Sequence, residues 1–368
     1  MTTGPDTAPE VAPPPRANPE LVGHPAAERT LIEACRSGQL AHAWLITGSK
    51  GIGKATLAFR FARFALTAPG GAKPFEGAPE SLRVEPDHPV FRRVASGGHA
   101  DLFTVERGYD EKRERLRTEI VVDDIRDVGA FLHLTPAEGG WRVVVIDSAD
   151  EMNRNAANAL LRVLEEPPRQ ALILMVSHNP GRLLPTIRSR CRKLPLRPLD
   201  KAEVAGILAR ARPDIGAEDV QTLARLAEGS AGRALDLAAQ GGLDLYRELV
   251  GLIEGLPQLD VGALHALADR LGRAGAETAY YTMTGLLSWW LARLILSGGA
   301  GELGGRPGEI VPGEGAVMAR LLSHRGLDQW LGVWEKITGL FAQAESANLD
   351  RKQVVLNAFV TLGRAAGP

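Results

Sequence analysis

The chain is short of cysteine, of net charge and of long apolar runs. Among its 368 residues there are two cysteines, Cys35 and Cys191. Neither belongs to a C-x-x-C pair, which excludes a Cys-based zinc site and argues against a disulfide framework. A reducing, cytoplasmic setting is expected. Lys and Arg number 43 against 44 acids, a net charge of -1. The molecule as a whole therefore exerts no electrostatic pull on DNA or on an anionic membrane. Any nucleic-acid contact must come from a local basic surface or a larger assembly. No stretch reaches the ~20 apolar residues of a membrane span. Residues 1–20 lack the apolar centre of a secretory signal. The longest apolar segment, near Leu286–Leu296, contains Arg293 and reads as a buried helix.

What is present is the composition of a soluble globular protein, with 45% hydrophobic residues and a mean hydropathy of -0.07. The length predicts two or three domains of about 100–200 residues each. Residues 1–20, rich in Pro, Ala and acid around Pro13-Pro14-Pro15, are expected to be a disordered tail. From 21 to 198, strands and helices alternate, which predicts an α/β domain with a parallel sheet. Its strands are expected at Ala43–Thr47, Ala100–Val105, Trp141–Asp147 and Ala171–Ser177. The β-branched run Val143-Val-Val-Ile146 predicts a strand buried on both faces. Helices are expected over residues 25–38, Thr56–Thr67, Asp123–His133 and Asn153–Glu166, from apolar positions at helical spacing. Residues 68–98 hold many Gly, Pro and charged residues and read mostly as an irregular insertion. After Pro198 no strand is expected. Residues 199–242 read as a small domain of three short helices, and 243–368 as an all-helical domain broken by a Gly-rich loop at Ser297–Gly315.

The most informative stretch is Gly48-Ser-Lys-Gly-Ile-Gly53-Lys54-Ala55. It matches the phosphate-binding pattern G-x-x-x-x-G-K-[ST] at every position but the last, between a strand and a helix as the motif requires. The glycine-rich turn of such a loop aims backbone N–H groups at phosphates. The Lys reaches the β- and γ-phosphates, and the hydroxyl holds Mg²⁺. Ala55 offers only a methyl group, and Thr56, one residue on, projects about 100° away. Asp147, at the tip of its strand, is placed to hold the metal shell of an NTPase. The adjacent position, where a Glu would polarise the attacking water, is Ser148. Losing one such group costs about 10²–10³ in rate, so loss of both predicts turnover near zero. With Gly48, Gly51, Gly53 and Lys54 all present, weak ATP, ADP or phosphate binding remains open. No cofactor is required.

Three further positions stand out. Asn179, after Ser177-His178, either reaches a γ-phosphate or caps the strand. Arg233, in Gly229-Ser-Ala-Gly-Arg-Ala-Leu235, either faces a nucleotide or is a surface residue near a helix start. Arg190, in Ser189-Arg-Cys191, lies among Arg182, Arg188, Arg192, Lys193 and Arg197. That run is either a solvated basic face or the setting of an arginine finger acting on a neighbour's γ-phosphate. Such a finger raises turnover by about 10³–10⁵.

The loop, the strand ending at Asp147, Ser189-Arg-Cys191, Gly229–Leu235 and above all the run Asn155-Ala-Ala-Asn-Ala-Leu-Leu-Arg-Val-Leu-Glu-Glu-Pro-Pro168 together resemble bacterial AAA+ clamp-loader subunits. The resemblance covers roughly residues 24–240 and implies several things. The fold would be an AAA+ sheet domain, a helical lid and a helical collar domain. Among ring members, the missing hydroxyl and base resemble the one that does not hydrolyse ATP, rather than the gamma/tau motor subunits. Arg190 would be the trans finger. Partners would be gamma/tau and delta subunits in a hetero-pentamer, with a sliding clamp and primed DNA met through the complex and no membrane. Many clamp-loader subunits carry a four-Cys zinc module after the first helix; here residues 68–98 stand in its place without Cys, so no zinc is expected. The alternative is an active DNA-dependent ATPase of the gamma/tau kind.

Overall fold

The computed structural model describes residues 12–68, 80–110, 115–138, 140–299 and 308–367. It divides into two compact units. The first is Met1–Ala211 with Ala227–Arg233, and the second is Arg212–Leu226 with Ala234–Pro368.

The first unit begins with α1 (Pro25–Arg36), β1 (Ala43–Thr47), α2 (Lys54–Thr67), α3 (Pro89–Ala95) and β2 (Leu102–Val105). A two-residue pair, β3 (Tyr109–Asp110) and β4 (Arg115–Leu116), follows. Then come α4 (Val122–His133), β5 (Arg142–Ile146), α5 (Arg154–Glu165), β6 (Ala171–Ser177), α6 (Pro185–Arg190), β7 (Arg192–Pro195) and α7 (Lys201–Ala211). Five strands form one parallel sheet in the order β2-β5-β6-β1-β7. The register sets Leu45 beside Met175 and Val144 beside Ile173.

Alternation along each strand feeds two cores. Trp44, Ile46, Val143, Val145, Leu172 and Leu174 share one core with Leu31, Phe61, Phe64 and Val94 of α1, α2 and α3. Leu45, Val144, Ile146, Ile173 and Met175 share the other with Ile125, Leu160, Leu164 and Ile187 of α4, α5 and α6. Every residue of β5 and β6 is buried. This is the parallel α/β sheet that the alternation of strands and helices predicts, with helices on both faces.

Three stretches differ from expectation. Within 68–98, Pro89–Ala95 is a helix rather than irregular chain; residues 69–79 of that insertion lie outside the described residues. His88 caps the helix by accepting from the Val90 amide, and Val90, Phe91 and Val94 are buried. Pro at the first helical position pre-sets its start. Second, β7 runs through the basic stretch as an edge strand, with Arg192 and Lys193 exposed and Leu194 buried. Third, the disordered-tail expectation for 1–20 fails at residues 12–20. Arg63 of α2 donates to the carbonyls of Arg16 (2.9 Å) and Asn18 (2.8 Å), and Arg60 donates to that of Pro19 (3.1 Å). Residues 1–11 lie outside the described residues.

Among its described residues the second unit holds helices and their connections, with no strand. It contains α8 (Ala217–Leu226), α10 (Gly242–Glu254), α11 (Val261–Gly272), α12 (Glu277–Gly299), α13 (Glu314–His324), α14 (Leu327–Ala347) and α15 (Arg351–Ala366). The intervening helix α9 (Ala231–Ala239) starts in the first unit. Arg293, read as a charge within a buried helix, is 5% exposed and pairs with Glu314 of α13 at 2.8 Å.

Candidate functional site

The candidate nucleotide site is built at the end of β1. Gly48, Gly51 and Gly53 have φ of 142°, 77° and 102°. L-residues with a Cβ rarely adopt such angles, so these glycines make the turn possible. Lys54 opens α2 and is 2% exposed. Its Nζ donates back to two carbonyls of its own loop, those of Gly48 (2.7 Å) and Ser49 (2.5 Å). Burial lowers its pKa to about 8, against the pull of the Asp147 and Asp150 carboxylates.

The other loop carbonyls are occupied as well. Ser230 Oγ donates to the Lys50 carbonyl at 2.8 Å, and the Gly232 amide donates to that of Gly51 at 2.9 Å. His24 Nε2 lies 2.6 Å from the Ile52 carbonyl. The approach is close enough that a Cβ on Gly51 would fall 2.4 Å from Ser230 Oγ. All five carbonyls from Gly48 to Ile52 are thus held by groups of this chain. The sequence signal for these contacts is slight. Gly229-Ser230 stands out for its helix start and for Arg233, not as a partner of the loop carbonyls, and His24 has no motif around it.

Asp147 follows β5, half-buried, with its amide bonded to the Val105 carbonyl at 2.9 Å. Burial and the nearby Glu106 raise its pKa, while the Ser148 amide and Lys54 lower it. Ser148 sits in the left-handed region at φ 59° and its Oγ lies 3.3 Å from His178 Nε2. Asp150 is engaged by the turn after β6. Its two oxygens accept from the amides of His178 and Asn179, both at 2.9 Å. Burial pushes the Asp150 carboxyl up, but those amide donors bring it below the ordinary range. Glu151 pairs with Arg107 at 2.9 Å. Asn179 accepts from the Gly181 amide at 3.2 Å, which caps the turn after β6. Arg233 donates its backbone amide to Ser230 Oγ at 3.1 Å, and its guanidinium lies 3.9 Å from Glu228. The structure therefore gathers Gly48, Gly51, Gly53, Lys54 and Asp147 at one end of the sheet, with the Arg233 backbone packed on the loop. Ala55, in the hydroxyl position, packs against the hydrophobic core.

Arg190 ends α6 and its side chain is 36% exposed. Nη2 pairs with Glu165 Oε1 at 2.8 Å, and Nη1 donates to the Thr186 carbonyl at 3.1 Å. The neighbouring Cys191 and Ile187 are buried, which anchors the helix beneath the exposed guanidinium. Burial pushes the Cys35 and Cys191 thiols up to about 12, so neither is a nucleophile at neutral pH. Among the described residues, no group of three or more His, Cys, Asp or Glu is placed to hold a metal. No described helix is long and apolar enough to cross a membrane.

Residues 23–200 match the family model described as DNA polymerase III, delta subunit. The chain is 37% identical over 221 residues to DNA polymerase III subunit delta' of Pseudomonas aeruginosa, covering 60% of this chain and 62% of that protein. It is 32% identical over 176 residues to subunit delta' of Bacillus subtilis, covering 48% of each chain. To the tau subunit of Escherichia coli it is 29% identical, over 61% of this chain and 33% of that one. The matched stretch thus spans between about half and two thirds of the two delta' proteins. Over the region that holds the sheet, the phosphate loop and Arg190, the chain resembles the delta-prime subunits of bacterial DNA polymerase III.

Proposed function

We propose that this chain is a clamp-loader subunit of AAA+ type that does not hydrolyse ATP and supplies Arg190 to the active site of an adjoining ATPase subunit. The observation that carries the reading is a contrast. The chain's own phosphate loop lacks its metal ligand and base, whereas Arg190 stands at the surface on a short helix fixed from below. Ala55 and Ser148 supply neither function, and the carboxylate of Asp150 is held by two backbone amides. A phosphoryl group passing to water develops charge on its equatorial oxygens, and a guanidinium offers a rigid fork of donors to meet it. The delta-prime resemblance supports the same reading. Gamma/tau subunits are the proposed recipients of the finger, in a cytoplasmic hetero-pentamer with a delta subunit. A sliding clamp and primed DNA would be engaged through the complex.

The test is reconstitution of the ring with Arg190→Ala. The share of ATP turnover at the shared interface is expected to fall by about 10³ or more. Unchanged turnover would overturn the finger. Single-turnover hydrolysis by the chain alone separates this from the gamma/tau-like alternative. Lys54-dependent turnover by the isolated chain would favour the ATPase.

A further inference from the structure

The sequence run that most resembles clamp loaders ends in two acids before Pro167-Pro168, and nothing above gives the first of them a role. Glu165 is the last residue of α5, 49% exposed at its side chain. An acid there is locally unfavourable, because the carbonyl end of a helix carries partial negative charge. Departures from local preference cluster where function imposes them. Here the departure brings a carboxylate to Arg190.

We propose that Glu165 is the positioning residue for Arg190. The inference rests on the reading of Arg190 as a trans finger and adds to it how the finger is kept ready. A guanidinium has five N–H donors. Glu165 and the Thr186 carbonyl each take one, on different terminal nitrogens. Two anchors on separate nitrogens fix the plane of the group, and the remaining donors are left for an incoming phosphoryl oxygen. The base beneath is shared. Leu160 and Leu164 of α5 lie in one core with Ile187 of α6 and with Cys191, and all four are buried. The elements that carry the carboxylate and the guanidinium therefore hold each other in place. An arginine without the carboxylate would enter a neighbour's site with its rotamers unsettled, and a finger that is misplaced loses rate rather than affinity.

Two measurements test this. In the isolated chain, NMR of the arginine side-chain nitrogens should show restricted rotation of the Arg190 guanidinium, lost in Glu165→Ala. The thermal midpoint should stay put, because the pair is half-exposed. In the reconstituted ring, Glu165→Ala should lower the Arg190-dependent part of kcat by about 3–10-fold with KM for ATP little changed. Glu165→Gln, which keeps an acceptor oxygen, should recover most of that loss. A freely rotating wild-type guanidinium overturns the proposal. So does a Glu165→Ala ring as fast as wild type while Arg190→Ala is slow, which leaves the finger reading intact. If Arg190→Ala itself changes nothing, the finger reading fails and the positioning role falls with it.

Discussion

Leu164→Ala probes whether α5 is built into the sheet domain beneath the Arg190 region. Leu164 is 2% exposed, and its core also holds Leu160, Ile173 and Met175. Truncation removes three carbons, worth about 2.4 kcal/mol at ~0.8 kcal/mol each. The sheet and α5 cannot collapse fully onto the gap. A residual cavity of about 40 Å³, at about 24 cal/mol per Å³, adds roughly 1 kcal/mol. The expected loss is therefore about 3–4 kcal/mol, a large part of the about 5–15 kcal/mol that holds a typical domain together. Urea unfolding followed by tryptophan fluorescence is the assay, since Trp44 of β1 is fully buried in the same sheet. The transition midpoint should fall without a change in slope. A loss below about 1 kcal/mol would mean that the site relaxes or that α5 is not packed here. In the second case the fold that positions Arg190 would be wrong.

Two more changes read other parts of the molecule. The Glu314 carboxylate meets Arg293, the Tyr246 hydroxyl and the Ile310 amide while 1% exposed. Glu314→Ala leaves a buried guanidinium uncompensated and should cost about 3–5 kcal/mol in a denaturant titration, whereas a cost near zero would contradict this burial. Lys54 has its pKa lowered from 10.5 to about 8 by burial. Between those values the unfolded chain binds more protons than the folded one, so stability from this residue rises with pH across that window. It gains up to about 3 kcal/mol. The stability difference between wild type and Lys54→Met should therefore shift in favour of wild type from pH 7.5 to 10. A flat difference would place the ammonium in water.

The parts of the fold visible in the sequence were those where one local pattern sufficed. Ala43–Thr47 and Ala171–Ser177 are strands with the expected bounds, because a continuous apolar run of five to seven residues is too short for a helix and fits a strand buried on both faces. Helix α3 is seven residues long, with Arg92 and Arg93 among its apolar positions, too short for a helical period to show. Strand β7 reads as a basic face because an edge strand exposes most of its side chains, and only Leu194 records the sheet. At the site, the missing hydroxyl and base were plain from motif positions alone. The partners of the loop carbonyls were not. Ser230 and Gly232 lie about 180 residues downstream of the carbonyls they meet, and such pairings depend on tertiary approach that no local period encodes.

The segment pinned by Arg60 and Arg63 has a practical consequence for shortened versions of this protein. Arg63 is 1% exposed and lies over the Phe91 ring at 4.5 Å, and Arg60 also reaches Glu28 and Ser81. A chain trimmed to begin at Leu21 would strip three carbonyl acceptors from these two cations and expose their buried guanidinium groups to solvent. The helix so unroofed is the one that starts at Lys54. Trimming an end that looks dispensable would loosen the footing of the phosphate loop itself.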